Sequence, residues 1–521
     1  MILSIVLVML GAFCSIAEPA KILYVLPFGG PSHYIALKDL GLELANRGHE
    51  VHVITPFREN NPPPNYHQIM VQKKSPWEFL SQERPNIFTF TEYSFSKYMG
   101  LLYQIGYMLN ELVFESDEFL KFMQEDHKFD VVINELFYQE PFYLLAHKYQ
   151  APLVLVSTFG NSMKTNFYGK NPLQLNVANH EWAVFDPTGV VGRFWNVYCS
   201  LYDLFMHKFV YMPKQEEYAR KYFKDLPQPV PSLEELAGNA SLVLMNSHFS
   251  IDNPTAYLPN FVEVGGLNHV KKPKALPKDL QEILDKATNG VVFMSLGSNV
   301  QSTDLSKDKL EAFIKVFGEL KETVLMKWED DTLTNIPKNV ILRKWFPQIE
   351  VVAHPNVKLF IGHGGLISLL ETINAGVPIL GIPVFADQYL NIHSTIQNGN
   401  GAMLEHKNIN EHNLRTILNK MLTDKRYKEK ALEISTRFKD RPMNGLDTAI
   451  WWIEYVIRHK GADFIKTPAL KFNFLQYYML DVLLLVLAVA LAPLIVLWKI
   501  VSLFKSKPVK KNVEKKKQKR N

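Results

Sequence analysis

The chain has 521 residues, 47% of them hydrophobic and 21% charged. That length exceeds one ordinary core, so two domains with accessory segments are expected, and the composition suits a globular protein carrying some membrane sequence. The net charge is +5, but nine basic residues against one acid after Phe504 give the tail +8 and leave the rest at −3; the basic balance therefore does not advertise a nucleic-acid partner.

Residues 1–17, MILSIVLVMLGAFCSIA, are apolar and end with Ser15 and Ala17 at small-residue cleavage positions. This is the pattern of a secretory signal peptide, with a buried first strand or a signal anchor as the alternative. Its removal takes Cys14 with it and leaves Cys199 as the single cysteine, which excludes a disulfide within the mature chain. A strand over Ile22–Leu26 follows, and PFGGPSHYIALKDLGLELANRGH then reads as a helix with Ser32 at its N-cap, Gly48 as its stop and His33 in its first turn. A helix N-terminus disfavours imidazolium, so His33 should tend to stay neutral and able to accept a proton. On its own, a histidine there is more often a structural or solvated residue than a catalytic one.

Further strands are predicted at Val51–Thr55, Val131–Asn134, Leu153–Ser157 and Leu242–Asn246, and in the second half at Val291–Ser295, Thr323–Lys327, Val340–Arg343, Val357–Ile361 and Ile379–Gly381. Near-continuous apolar strands separated by helical patterns predict parallel sheets covered on both faces. Residues 57–122 and 161–224 are aromatic-rich and irregular; buried packing, an acceptor pocket and a membrane-facing surface all fit them. Asn239-Ala240-Ser241 is the one N-glycosylation sequon. The segment from Gly266, rich in Lys and Pro and lacking an apolar period, predicts a linker over 266–285. Two doubly wound α/β domains, 18–265 and 286–462, should therefore face each other across a cleft, with ligands at the carboxyl ends of the strands.

The densest chemistry lies between Trp345 and Gln388. A strand running into His363, Gly364 and Gly365 and then a helix forms an anion site, because free backbone N–H groups and the helix dipole face the incoming charge. His363 can donate a further bond to phosphate. Ser368 and Glu371 share one helix face, the hydroxyl suiting a phosphate and the carboxylate the vicinal hydroxyls of ribose. Trp345 offers a flat face for a pyrimidine, and Gln348 can bond its edge or the ribose. Asp387 and Gln388 supply acceptors and a donor for sugar hydroxyls. Each element alone is common; their order is the signal.

Residues 482–498 carry no charge, are bounded by Asp481 and Lys499, and are edged by Tyr477, Tyr478 and Trp498. They predict one transmembrane helix within an anchor region at 476–504. Residues 505–521 form a basic tail that marks the cytosolic side, so the body should be lumenal and the membrane that of the endoplasmic reticulum. Lys517 and Lys519 fit a lysine-based retrieval signal, and simple attraction to lipid explains them as well.

The WFPQ, HGG, Ser/Glu and Asp-Gln elements resemble the signature of the UDP-glycosyltransferases, and the likeness extends over nearly the whole chain. Residues 441–462 resemble the closing helical segment of animal members, insect ones above all. The resemblance implies a GT-B fold, a UDP-sugar donor, and an inverting reaction that needs no metal and no other cofactor. It implies that His33, in its GxSH context, is the general base toward an acceptor hydroxyl. A carboxylate from the strand FDVVINELF should support it, and the position where the family places Asp holds Glu135 here. Asp130 lies at the wrong end of that strand. SLGS matches a loop approaching the diphosphate, which adds Gly297 and Ser298. Two departures stand out: Ile367 replaces a common Asn beside the phosphates, and Gly362 a Thr or Ser. The expected partners are a UDP-sugar (glucose preferred, since no cation adjoins Asp387-Gln388), a small lipophilic acceptor and membrane lipid; self-association stays open. Two further readings remain, a transferase acting on a ceramide-type lipid and a catalytically silent GT-B subunit.

Overall fold

The structure, a computed structural model, describes residues 19–72, 85–177, 180, 189–267, 273–331 and 333–504. The leader at 1–17 and the basic tail at 505–521 lie outside the described residues. Two compact units are present, Met1–Lys466 and Thr467–Asn521.

The first unit holds two parallel sheets. In chain order the first is built from β1 (Lys21–Val25), helix α1 (Pro31–Asn46), β2 (Glu50–Thr55), β3 (Tyr66–Met70), β4 (Val131–Glu135), β5 (Leu153–Ser157), helix α2 (Val190–Met206), β6 (Leu242–Met245) and β7 (Phe261–Glu263). Its strands lie in the order β3-β2-β1-β4-β5-β6-β7. The second sheet comprises β8 (Val291–Ser295), β9 (Thr323–Lys327), β10 (Val340–Arg343), helix α3 (Gln348–Val352), β11 (Val357–Gly362), helix α4 (Leu366–Ala375), β12 (Ile379–Gly381), helix α5 (Gln388–Asn398) and β13 (Gly401–Met403). Its order, β10-β9-β8-β11-β12-β13, repeats the same winding. Each sheet reverses direction once, between β1 and β4 and between β8 and β11. Those switch points are where an open α/β sheet leaves a crevice beyond its strand ends.

The interior strands form because they are apolar along their whole length and covered on both faces: every residue of β4, β5 and β8 is buried. Three edge strands, β3, β7 and β13, escape the sequence reading. They are short or polar (YHQIM, FVE, GAM), as edges tend to be, and carry no continuous apolar signal.

Two boundaries differ from expectation. The stretch assigned to the linker carries a helix at Lys278–Lys286, whose Leu280 and Leu284 are fully buried in the core of the second sheet. Two apolar positions four apart suffice to hold it there, and the Lys/Pro-rich composition masked them. The closing helices, placed with the second domain, also divide. Helix α6 (Lys425–Lys439) packs on α4, but α7 (Gly445–Arg458) returns to the first sheet. Its Leu446, Ala449, Ile450, Ile453 and Val456 join the cluster of Ile22, Leu37 and Val51, and Arg47 holds Asp447 at 2.5 Å. Periodicity shows which face of such a helix is apolar, not which sheet it meets.

In the second unit, α8 (Leu480–Phe504) is one 25-residue apolar helix with Pro493 inside it. At about 1.5 Å per residue it exceeds the roughly 30 Å of a bilayer core.

Candidate active site

Both switch points open onto residues of chemical interest. After β1 the chain passes Gly30, the N-cap of α1, with Pro31 at the first helical position. Pro31 sets φ for the first turn and lacks the N–H that would be unpaired there. Ser32 is thus inside the helix rather than its cap, and its hydroxyl instead accepts from Asn299 Nδ2 at 3.4 Å, a contact from the loop after β8. His33 follows, 8% exposed.

Its Nδ1 donates to Oε1 of Glu135, the last residue of β4, which is buried. Thr158 Oγ1 lies 3.2 Å from the same nitrogen, and Gln139 Nε2 donates to the other Glu135 oxygen at 3.1 Å. The carboxylate therefore holds the imidazole with Nδ1 protonated, leaving Nε2 as the ring's acceptor nitrogen. The rings of Phe28, Phe137 and Phe159 pack 4.3, 4.5 and 5.3 Å from that of His33. Phe137 and Phe159 also line an apolar cavity floored by Tyr143, Tyr168 and Met212. Glu140 and His207 lie in its wall; His207 contacts Glu140 Oε1 at 3.2 Å and the Tyr168 hydroxyl at 2.8 Å. Glu140 Oε2 is buried without a protein partner.

At the other switch point, Gly365 caps α4 in an extended conformation without any side-chain bond, so the first-turn N–H groups stay available. The glycines are there for room. A Cβ on Gly297, whose φ is +87°, would come within 2.6 Å of the His363 ring, and one on Gly365 within 2.5 Å. A Cβ on Gly364, also at φ +87°, would run into Ile392 and the Gln388 carbonyl. A Cβ on Gly362, the Thr/Ser substitute, would come within 2.4 Å of the Phe360 ring. Burial, reinforced by the Lys327 ammonium, holds the His363 imidazole down at about 4, so it is neutral, and its Nδ1 is buried without a protein partner.

Gln348, Ser368 and Glu371 come together: the Gln348 amide donates to the Ser368 hydroxyl at 2.8 Å and to Glu371 at 2.5 Å. Burial pushes the Glu371 carboxyl up to about 7, partly offset by the Gln348 bond. Asp387 stands at the head of α5, and Asn391 donates to it at 2.8 Å. Burial lifts its carboxyl to about 6, while the Asn391 bond and the charge of His33, from the opposite half, pull it down. Gln388 commits its side-chain oxygen to the backbone N–H groups of Val384 and Phe385, so its amide donors are what it can offer a ligand. Ser298 and Trp345 are exposed, the indole at 65%. Ile367 packs against the core of the first sheet, an apolar tie between the halves where a polar side chain was expected.

The cleft is thus a carboxylate-oriented imidazole beside an aromatic cavity, facing an uncapped helix N-terminus, a neutral histidine and two buried carboxyls. The family profile described as UDP-glucoronosyl and UDP-glucosyl transferase matches residues 20–519. The chain belongs to that family. As a member, it is 35% identical over 484 residues to "UDP-glucosyltransferase 2" of Dactylopius coccus, covering 92% of each chain. It is 29% identical over 477 residues to "UDP-glucuronosyltransferase 2B1" of Rattus norvegicus, covering 87% of each. The fold is that of solved glycosyltransferases. "UDP-glucose: anthocyanidin 3-O-glucosyltransferase in complex with UDP" aligns with a TM-score of 0.55 at 15% identity, over 85% of this chain and all of that one. "Glycosyltransferase VinC in complex with DTDP" aligns at 0.58 and 14%, over 84% of this chain. This UDP-glycosyltransferase is a hexosyltransferase enzyme of GT-B architecture.

Several further residues of the candidate site escape the motif reading. Lys327, the one charged residue of β9, donates to the Gly297 carbonyl at 2.7 Å and to Glu329 at 2.9 Å, bringing a cation to the anion site. A lysine ending a buried apolar strand at its carboxyl end was the available signal. Thr158 and Glu140 follow β5 and β4 in the same way. Among the described residues, Glu50, His52 and His67 have metal-ligand character, but they cluster toward the amino ends of β2 and β3, away from this cleft.

Proposed function

We propose that this UDP-glycosyltransferase is membrane-anchored and inverting, and that it moves glucose from UDP-glucose to a hydroxyl of a small lipophilic acceptor. The observation that carries the reading is the His33–Glu135 pair with Nε2 turned away from the carboxylate, beside an aromatic cavity. The acceptor O–H loses its proton to His33 Nε2 as the oxygen bonds to the anomeric carbon. The bond from that carbon to the phosphate oxygen breaks on the opposite face, and UDP departs, so an α-linked donor yields a β-linked product. Glu135 stabilises the imidazolium that forms.

On the donor side, Trp345 would cover the uracil, with Gln348 at its edge, and Glu371 would accept from the ribose hydroxyls. Ser368, Ser298, His363 and the N–H groups around Gly297, Gly364 and Gly365 would meet the diphosphate. Asp387 and Gln388 would take sugar hydroxyls. Preorganised donors and the Lys327 ammonium supply the leaving-group charge stabilisation that a divalent ion gives elsewhere, so activity should persist in EDTA. Glucose is preferred because the insect relative is named for it and no cation adjoins the Asp387-Gln388 pair in sequence.

The 25-residue helix α8 would anchor the enzyme in the endoplasmic reticulum membrane as a single-pass type I protein with Asn239, an exposed sequon residue, in the lumen. The deciding assay pairs microsomes containing the protein with UDP-glucose, UDP-glucuronate or UDP-galactose and a panel of lipophilic phenols. Glucosylation lost in His33→Ala while UDP binding persists supports the reading; turnover retained by His33→Ala overturns it.

A further inference from the structure

Helix α2 continues through a π-helical turn at His207–Tyr211, and its outward side has a composition unlike that of other exposed helices in the first unit. Between residues 190 and 210 nine residues are exposed, and all are large and apolar: Val190, Val191, Phe194, Trp195, Tyr198, Leu201, Phe205, Phe209 and Val210, each 45–73% accessible. Their spacing of three to four residues makes one continuous stripe along the helix. Helix α6 is the internal contrast. Of its nine exposed residues, seven are charged, which is how a water-facing surface is built. An apolar stripe of this length on a folded body marks a surface that meets something other than water.

The charges beside the stripe indicate what that something is. From Val190 to Gln215 the only acid is Asp203, which is buried, while the bases are Arg193, Lys208 and Lys214. Lys208 pairs with Glu234 at 2.6 Å, and Arg193 and Lys214 lie near the two ends of the stripe; Phe, Trp and Tyr on one side with Lys and Arg alongside is the pattern of a helix lying in the headgroup boundary of a bilayer. The chain also carries its own membrane-crossing candidate in α8, so an anionic lipid surface is an available apolar phase for the stripe.

We propose that the outer face of α2 and its π-turn docks into the interfacial layer of a lipid leaflet, a second membrane contact separate from α8. The inner side of the same element is bound to the acceptor cavity. Asp203 accepts from Lys164 at 2.5 Å and from the Tyr103 hydroxyl at 2.6 Å, and His207 and Lys164 both line the cavity wall. A helix whose one face lies in lipid and whose other face is wall to the cavity brings bilayer-dissolved acceptors within reach of His33 without passage through water. This second step rests on the cavity being the acceptor site; the docking itself does not.

The test uses the full chain reconstituted in phosphatidylcholine vesicles containing phosphatidylserine, in a Cys14→Ser, Cys199→Ser background. Nitroxide labels are placed at Phe194→Cys, Leu201→Cys and Phe205→Cys, with Glu429→Cys on α6 as the aqueous control. Docking predicts that the first three favour oxygen over a water-soluble nickel chelate as relaxation agent, at a depth of about 5–10 Å, and that the control does the reverse. Chelate access at α2 equal to that at Glu429 overturns the proposal, and so does exclusion of both agents, the signature of a second copy of the chain covering the stripe. This readout needs no catalysis, so it stands whatever becomes of the transferase reading. In a kinetic arm, Phe194→Glu with Phe205→Glu should raise KM about tenfold for an acceptor that partitions into the bilayer and leave a water-soluble acceptor unchanged. An equal change in KM for both acceptors, or none for either, overturns delivery from the membrane.

Discussion

The two halves of the cleft are built from the same strand order but by opposite routes through the chain. On the donor side, Gln348, Ser368 and Glu371 bond to one another across at most 23 residues, and the HGG turn lies between them in sequence. On the acceptor side, His33 meets Glu135 across 102 residues and Thr158 across 125, and Glu140 meets His207 across 67. A site made within one strand-turn-helix unit keeps its spacing in the sequence. A site made by bringing several strand ends to one switch point keeps none.

That contrast is sharpest where a single substitution should silence one half and spare the other. His33→Ala removes the proposed base, and kcat should fall about 10³-fold, within the usual range for general acid–base catalysis, while UDP affinity by calorimetry stays unchanged. Matched losses in both measurements would mean the halves are not separable. Glu135→Ala should lower kcat about 10²-fold, because an imidazole without its carboxylate loses both orientation and imidazolium stabilisation. Full retention of turnover would remove Glu135 from the pair. A smaller, acceptor-specific effect is expected of Glu140→Gln. Its Oε2 is a buried acceptor without a protein partner beside the cavity, so KM should rise about tenfold, one lost hydrogen bond to a charged group, only for acceptors with a second hydroxyl. Acceptors lacking that group should be unaffected, and a uniform rise would point to a structural role.

The same contrast explains what was legible beforehand. The interior strands announce themselves by unbroken apolar runs, whereas β3, β7 and β13 need only one covered side and carry no such run. The WFPQ, HGG and Ser/Glu elements stand out by their order alone, and the structure brings Gln348, Ser368 and Glu371 into one cluster. Lys327 was invisible because its partners, the Gly297 carbonyl and Glu329, come from the loop after a neighbouring strand and from beyond its own. Ile367 read as a lost hydrogen bond, yet its neighbours belong to the first sheet, and no local pattern reports a contact across a cleft. The aromatic-rich stretch 161–224 could not be divided into core and surface until α2 was seen to bury Asp203 and expose Phe205.

The finest separation of the halves should come from pH. Burial raises the Glu371 carboxyl from an ordinary value near 4.5 to about 7, so the folded protein holds a proton there that the unfolded chain has released. Between those two values stability falls as pH rises, because the unfolded state binds fewer protons. Ligand binding runs the other way. A carboxylate accepts from both ribose hydroxyls, whereas the protonated acid has one oxygen turned donor, so UDP should bind more tightly as pH rises from about 6 to about 8. The predicted signature is opposite slopes in one window: thermal stability of the free protein decreasing with pH and UDP affinity increasing. Glu371→Gln should flatten both. If it flattens neither, the titration belongs to another group; Asp387, lifted to about 6 by burial, would then be the carboxyl to neutralise, and its slope should appear in the sugar-dependent part of donor binding rather than in UDP binding.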